Sequence, residues 1–186
     1  MSTDIQATNV WLFWTFSPEA MGPVIARTTD GPWSHMGLGV RLKTAERVYY
    51  EALFGKGVTG PKSIGRLRGW VSEKPGRKLC IRETDIMGKD AEIIRQNADD
   101  MVGTATYAEW QLAAMLLFER YGIPVPHSPN ALVCCEMVSR LIQKHIDLRD
   151  RRRKTHDEVN PNSAWRRVLE IELGLDEYNA PPVLAT

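Results

Sequence analysis

The hydrophobic pattern of this chain changes its period once, near Gly88, and that change constrains the fold more than any other feature. Before Gly88, short apolar and β-branched runs alternate with turns, which is typical of antiparallel strands. After Gly88, apolar residues recur at the spacing of helix faces. Strands first and helices afterwards indicate the α+β class, so we expect an antiparallel sheet packed against helices.

The individual elements follow from runs bounded by turn and capping residues. We predict strands at 10–16, His35–Leu42, Arg47–Leu53, 65–71 and 78–83, and a short helix that begins at Ser17 and runs toward Thr28. Gly55, Gly57 and Gly60, with Pro61, break the strand pattern. Four further helices are predicted at 91–102, 107–121, 131–145 with Asn130 as the cap, and 163–173.

Length and composition indicate one globular domain. The chain has 186 residues, 43% of them hydrophobic, which predicts a single domain over 1–178 and a loose C-terminal tail over 179–186. Charged residues make up 25%, with a net charge of +1, so we expect no nucleic-acid partner. The N-terminus has no signal-peptide pattern and no apolar run is long enough to span a bilayer. We therefore expect a protein without a transmembrane segment, cytoplasmic or associated with a virion.

Cysteine is the residue type with the strongest chemical implication. The three cysteines cannot all pair, and Cys134 and Cys135 are adjacent, so we do not expect a disulfide-stabilised secreted scaffold. No Cys-x-x-Cys spacing indicates a structural metal site. Cys134 and Cys135 fall in the first turns of a predicted helix, where the helix dipole lowers the pKa of a thiol. One of them is thus a candidate nucleophile; the alternative is two buried, inert thiols.

A nucleophilic cysteine needs a base and a group that orients it. Of the four histidines, His35 opens a strand and precedes two alternating glycines, Gly37 and Gly39, which can mark the close approach of another group. Glu51 lies in the hairpin partner of that strand, in an otherwise apolar run. The alternatives are a histidine at a sheet edge and a carboxylate on a solvated strand face.

Three segments resemble the circularly permuted NlpC-like papain-fold families, especially the YiiX-type group and, more distantly, lecithin:retinol acyltransferase-like proteins. Residues 32–38 (PWSHMGL) are similar to the family's W-S-H-V-G-I strand, and 48–58 (VYYEALFGKGV) to its v-x-E-A…G-x-V hairpin. Residues 133–138 (VCCEMV) are similar to its C-S-E-L-V helix start. Gly103 with Tyr107 resembles the G-x-x-Y that precedes this helix.

The resemblance implies a permuted papain-like fold with a nucleophile at a helix N-terminus and the histidine earlier in the chain than the cysteine. It implies Cys134 as nucleophile, His35 as base, Glu51 as orienting group and Tyr107 as a helper of the oxyanion site. Two departures are visible: the family's serine after the cysteine is Cys135 here, an alternative nucleophile, and its acidic residue after the tyrosine is replaced by Ala108, with Glu109 next.

These observations lead to the hypothesis of a cysteine peptidase or amidase that cleaves an amide bond through a Cys-His-Glu triad and an acyl-enzyme intermediate. The resemblance implies a peptide or related amide as substrate, such as peptidoglycan. We expect no cofactor and no metal. The alternatives are a lipid acyltransferase or esterase with the same triad, and a non-catalytic module of a larger assembly such as a phage tail.

Overall fold

The computed structural model of the protein describes residues 6–107, 109–123, 131–149 and 158–172. The elements in chain order are β1 (Ala7–Phe16), α1 (Gly22–Thr28), β2 (His35–Leu42), β3 (Arg47–Leu53), β4 (Gly57–Ser63), α2 (Ile64–Ser72), β5 (Lys78–Met87), α3 (Gly88–Met101), β6 (Thr106–Tyr107), α4 (Glu109–Tyr121), β7 (Ala131–Leu132), α5 (Cys134–Ile142) and α6 (Pro161–Glu172). The fold is α+β, as predicted. No helix among these ranges has the length and apolarity that crossing a bilayer requires. The predicted boundary at 178 and the tail over 179–186 lie outside the described residues.

A five-stranded antiparallel sheet forms the centre of the fold, with the order β4-β3-β2-β1-β5. The predicted bounds of β2 and β3 are confirmed, and Leu38 pairs with Tyr50 in the register between them. This register places Gly37 opposite Glu51 and His35 one diagonal step away on the same face, because side chains alternate along a strand. The predicted hairpin therefore brings His35 and Glu51 together.

The two faces of the sheet are covered differently. Leu12, Met36 and Leu38 point into the main core, which α3 and α5 close from one side. Trp11 and Phe13 point to the other side, where they form a smaller cluster with Tyr49 and with Leu67 of α2. Since His35 shares the face of Phe13, with ring centroids 6.3 Å apart, it lies on the side that α2 covers.

Gly37 and Gly39 make room for aromatic rings. A Cβ atom at Gly37 would lie 2.3 Å from the Phe13 ring, and one at Gly39 would lie 2.1 Å from the Trp11 indole. The close approach that the glycines predicted is thus made by side chains of the neighbouring strand β1. The rings fill the space beside His35 and support that face of the sheet.

The strand predicted over 65–71 is wrong, because this segment forms α2. Ser63 caps the helix by accepting a hydrogen bond from the Gly65 N–H at 3.3 Å, and Leu67 is buried in the smaller cluster. Ile64 and Leu67 recur at a spacing of three, which is a helical period that the aromatic and β-branched residues nearby obscured.

Two other boundaries differ from the predictions. Residues 57–63 were predicted as a break but form β4, in which Gly60 lies against the Tyr50 ring with no room for a Cβ atom. The first helix begins at Gly22 with Pro23 in its first turn, and Ser17 instead accepts a hydrogen bond from the Glu19 N–H at 3.3 Å. Serine followed by proline therefore closes a local turn here.

The predicted helices after Gly88 are present with different bounds: α3 and α6 begin earlier than predicted, at Gly88 and Pro161, whereas α4 and α5 are shorter. Tyr107 lies in β6 instead of α4, and α5 begins at Cys134 instead of residue 131, because Ala131 and Leu132 pair in parallel with Thr106 and Tyr107. The predicted cap Asn130 lies outside the described residues. This short strand pair delivers the chain directly to Cys134.

Candidate active site

Cys134 is the first residue of α5, and its position is set by the residues on either side. Val133 occupies the N-cap in an extended conformation and, being apolar, offers no side-chain acceptor to the first N–H groups of the helix. Those N–H groups and the helix dipole favour negative charge at this point. The side chain is largely buried, with the residue 5% exposed.

His35 and Glu51 form a close side-chain pair on the sheet. Nε2 of His35 lies 3.0 Å from Oε2 of Glu51, and the two side chains are 20% and 11% exposed. Because Glu51 holds Nε2, the other ring nitrogen, Nδ1, is left for a second partner. A carboxylate in this position fixes the ring orientation and stabilises an imidazolium.

The second partner of His35 is Cys134. Burial opposes the positive charge, but the nearby Cys134 sulfur and the hydrogen bonds to Cys134 and Glu51 raise the pKa of His35 to about 10. In the same way, a hydrogen bond from Cys135 and the charge of His35 hold the pKa of Cys134 well below its usual range, despite burial. The backbone N–H of Met36 adds a further hydrogen bond to this sulfur. Both shifts favour a thiolate beside an imidazolium.

Cys135 has a different environment from its neighbour. It is fully buried, and its sulfur lies 3.9 Å from the sulfur of Met115. Burial, together with the negative charges of Cys134 and Glu136, raises the pKa of Cys135 well above its usual range. The two adjacent thiols thus differ: the pKa of Cys134, beside His35, is lowered, and the pKa of Cys135, in the core, is raised.

Lys62 also belongs to this site, although no pattern in the sequence indicates it. Its Nζ lies 3.0 Å from Oε1 of Glu51 and 2.8 Å from Oγ1 of Thr59, so each carboxylate oxygen of Glu51 has its own cationic partner. Burial raises the pKa of Glu51, but His35 and Lys62 outweigh it and lower that pKa overall. Strand β4, which carries Lys62, was predicted as a break, and this hid its pairing with the Glu51 strand.

Asn162 holds the segment that leads into His35. Its side-chain oxygen accepts the Trp33 N–H at 2.9 Å, and its amide donates to the Trp33 carbonyl at 2.8 Å and to Oγ1 of Thr29 at 2.6 Å. Asn162 is fully buried at the start of α6. No local sequence signal predicts this contact, since 129 residues separate the two partners.

Tyr107, Cys80 and the other three histidines are the remaining residues that the sequence analysis considered. Tyr107 pairs with Leu132 just before Cys134, and its ring centroid lies 5.8 Å from that of Phe54. Its predicted role at the oxyanion site stays a prediction. Cys80 is partly buried and packs against the main core. His145 is exposed beyond the end of α5, whereas His127 and His156 lie outside the described residues.

A cleft of about 480 Å³ opens on the face of the sheet that carries His35. The described residues that line it are Thr15, Ser17, Ser34, His35, Tyr49, Glu51, Leu53, Lys56, Lys62, Arg66, Leu67 and Trp70. His35 and Glu51 form part of its wall, whereas Cys134, which interacts with His35, is not among the described residues that line it.

Within the described ranges, no cluster of three or more His, Cys, Asp or Glu side chains is arranged to hold a metal ion. The chain matches no protein-family model. No curated protein matches its sequence either.

Proposed function

We propose that the protein is a cysteine hydrolase with a permuted papain-like arrangement that cleaves an amide bond. The observation that carries the proposal is a chain of side-chain contacts. Cys134, at the first position of a helix, interacts with His35, and Nε2 of His35 lies 3.0 Å from Oε2 of Glu51. Nucleophile, base and orienting carboxylate are the three groups that acyl transfer through a thiolate requires. Their order also agrees with the resemblance of the three sequence segments.

In the first half of the reaction, the Cys134 thiolate attacks the carbonyl carbon of the amide and forms the carbon–sulfur bond. Negative charge develops on the carbonyl oxygen, and the N–H groups at the start of α5 are placed to stabilise it. The His35 imidazolium then donates its proton to the amide nitrogen, the carbon–nitrogen bond breaks, and the amine leaves. The product is a thioester on Cys134 and a neutral imidazole.

In the second half, neutral His35 takes a proton from water, whose oxygen attacks the thioester carbon. The carbon–sulfur bond breaks, the carboxylic acid product leaves, and Cys134 returns as a thiolate beside an imidazolium. Glu51 keeps the imidazole oriented in both halves. Cell-wall peptides are the first substrate class to test, because the sequence resemblance suggests peptide amides.

The alternative is a non-catalytic module, and the burial of Cys134 is the observation that favours it. Alkylation by iodoacetamide between pH 4 and 10 separates the two. We expect wild type and Cys135→Ala to contain one fast-reacting thiol whose reactivity persists well below pH 8, and Cys134→Ala to lack it. His35→Ala should return the pH midpoint of alkylation toward about 8.5, the value of an unperturbed cysteine.

Peptide mapping of the alkylated product identifies the modified residue. A fast thiol that maps to Cys135 would reassign the nucleophile. A wild-type protein without any thiolate reactivity below pH 8 would overturn the hydrolase proposal and leave the non-catalytic module. Peptidoglycan fragments and lipid esters, incubated with wild type and with Cys134→Ala, then distinguish amide cleavage from ester chemistry.

A further inference from the structure

The cleft beside His35 carries more positive charge than the catalytic groups need. Its lining contains three cations with long side chains, Lys56, Lys62 and Arg66, and a single carboxylate, Glu51. Glu51 is already held by His35 and by Lys62, both at 3.0 Å. Among the described residues, no carboxylate forms an ion pair with Lys56 or Arg66.

These two cations come from different elements around the cleft. Lys56 lies in the turn that joins β3 to β4, and Arg66 lies in the first turn of α2. Both residues are exposed. Arg66 also acts inside the cleft, since its charge opposes the rise that burial and Glu51 cause in the pKa of Tyr49.

The remaining wall of the cleft combines four large aromatic or aliphatic side chains with the small hydroxyl side chains of Thr15, Ser17 and Ser34. Tyr49, Leu53, Leu67 and Trp70 line it, and Leu67 is only 4% exposed. An apolar wall reduces the screening of charges by water, so a cation at such a wall attracts an anion more strongly than one on an open surface. The guanidinium of Arg66 also presents paired N–H donors, a geometry that matches a carboxylate.

We propose that this cleft selects amide substrates that carry a carboxylate near the scissile bond, with Lys56 and Arg66 as the groups that bind it. The proposal rests on the function proposed above. Lys62 stays with Glu51 and acts as a positioning residue, while the excess charge of Lys56 and Arg66 is available to the substrate. The apolar wall accommodates the aliphatic part of the group that carries the carboxylate.

Two small alkylating reagents test this selection without knowledge of the natural substrate. Iodoacetate carries a carboxylate and iodoacetamide carries a neutral amide in its place, and both modify the thiolate of Cys134 by displacing iodide. The ratio of their rate constants at pH 7 cancels effects on the thiolate itself. The variants are Lys56→Gln/Arg66→Gln and a matched control, Lys43→Gln/Arg68→Gln, whose residues are exposed and do not line the cleft.

We expect the iodoacetate-to-iodoacetamide ratio to fall about tenfold in Lys56→Gln/Arg66→Gln at low ionic strength and to stay at the wild-type value in the control. Salt at about 1 M should reduce the difference in this ratio between wild type and Lys56→Gln/Arg66→Gln, because the salt screens exposed cations. Equal ratios in all three proteins, with Cys134 still alkylated, would overturn this inference and leave the hydrolase proposal standing. No alkylation of wild-type Cys134 would overturn both.

Discussion

The charge of Glu51 is the element of the site whose removal has the most definite consequence. Glu51→Gln keeps the size of the side chain and an oxygen that can accept from Nε2 of His35, but removes the negative charge 3.0 Å away. The imidazolium loses a stabilising partner, so the pKa of His35 must fall. Lys62, left beside a neutral amide, adds to the fall through its own positive charge.

The size of this fall follows from the separation of the charges. Two unit charges about 4 Å apart interact by about 4 kcal/mol at an effective dielectric constant of about 20, which corresponds to about 3 pKa units. Both side chains retain some exposure, 20% and 11%, and Lys62 already neutralises part of the carboxylate charge. We therefore expect the pKa of His35 to fall from about 10 by about 1–2 units.

Nitrogen-15 NMR of the imidazole rings, recorded from pH 5 to 11, measures this pKa directly, and His35→Gln assigns the signal. Lys62→Gln is the matched control, because it removes a positive charge instead of a negative one. Glu51 then no longer interacts with Lys62, so the pKa of His35 should not fall. Cys134→Ala separates the contribution of the thiolate from that of Glu51. A Glu51→Gln protein that is folded by circular dichroism and titrates at His35 as wild type does would refute the reasoning.

Three further predictions concern stability, each measured by urea unfolding against wild type. Asn162→Ala leaves the buried Trp33 N–H without its acceptor and should cost about 2–4 kcal/mol, and a loss below about 1 kcal/mol would contradict the role of this contact. Gly37→Ala places a Cβ atom 2.3 Å from the Phe13 ring and should cost about 1–3 kcal/mol, whereas unchanged stability would show that the strands separate easily. Glu92→Gln should cost about 1 kcal/mol near pH 7, because Arg95 lowers the pKa of Glu92 to about 2. The Glu92 carboxylate stabilises the fold at pH values above its ordinary pKa and loses this effect as the pH falls through about 2. If the cost of Glu92→Gln stayed constant down to pH 2, the ion pair of Glu92 with Arg95 would not be its cause.

Local periodicity was sufficient to predict the hairpin that carries the candidate base. His35–Leu42 and Arg47–Leu53 alternate over their full lengths, and a short turn between them allows one register. Once that register is known, His35 and Glu51 must be diagonal neighbours. The same kind of argument failed for α2, where Ile64, Leu67 and Trp70 read as strand residues although they are spaced as one helical face.

Contacts between distant parts of the chain could not be predicted in this way. The pairing of β3 with β4 decides that Lys62 meets Glu51. The glycines of β4 resemble a loop until it is known that Gly57 lies against the Ala105 carbonyl and Gly60 against the Tyr50 ring. Likewise, nothing near Cys134 in the sequence indicates that Met36 donates its N–H to the sulfur. Periodicity reports which face a residue lies on, whereas these contacts depend on which elements become neighbours.

The contacts at the start of α6 also set an order on the synthesis of the protein. Asn162 binds Trp33 across 129 residues, and the Pro161 carbonyl accepts the indole N–H of Trp14 at 3.0 Å across 147 residues. At a translation rate of about 5–20 residues per second, α6 follows the first strands by roughly 6–30 s. For that interval the nascent chain contains β2 without the helix that fastens its leading end. The segment that leads into His35 therefore gains these contacts only after residue 162 has been synthesised, later than Cys134 itself.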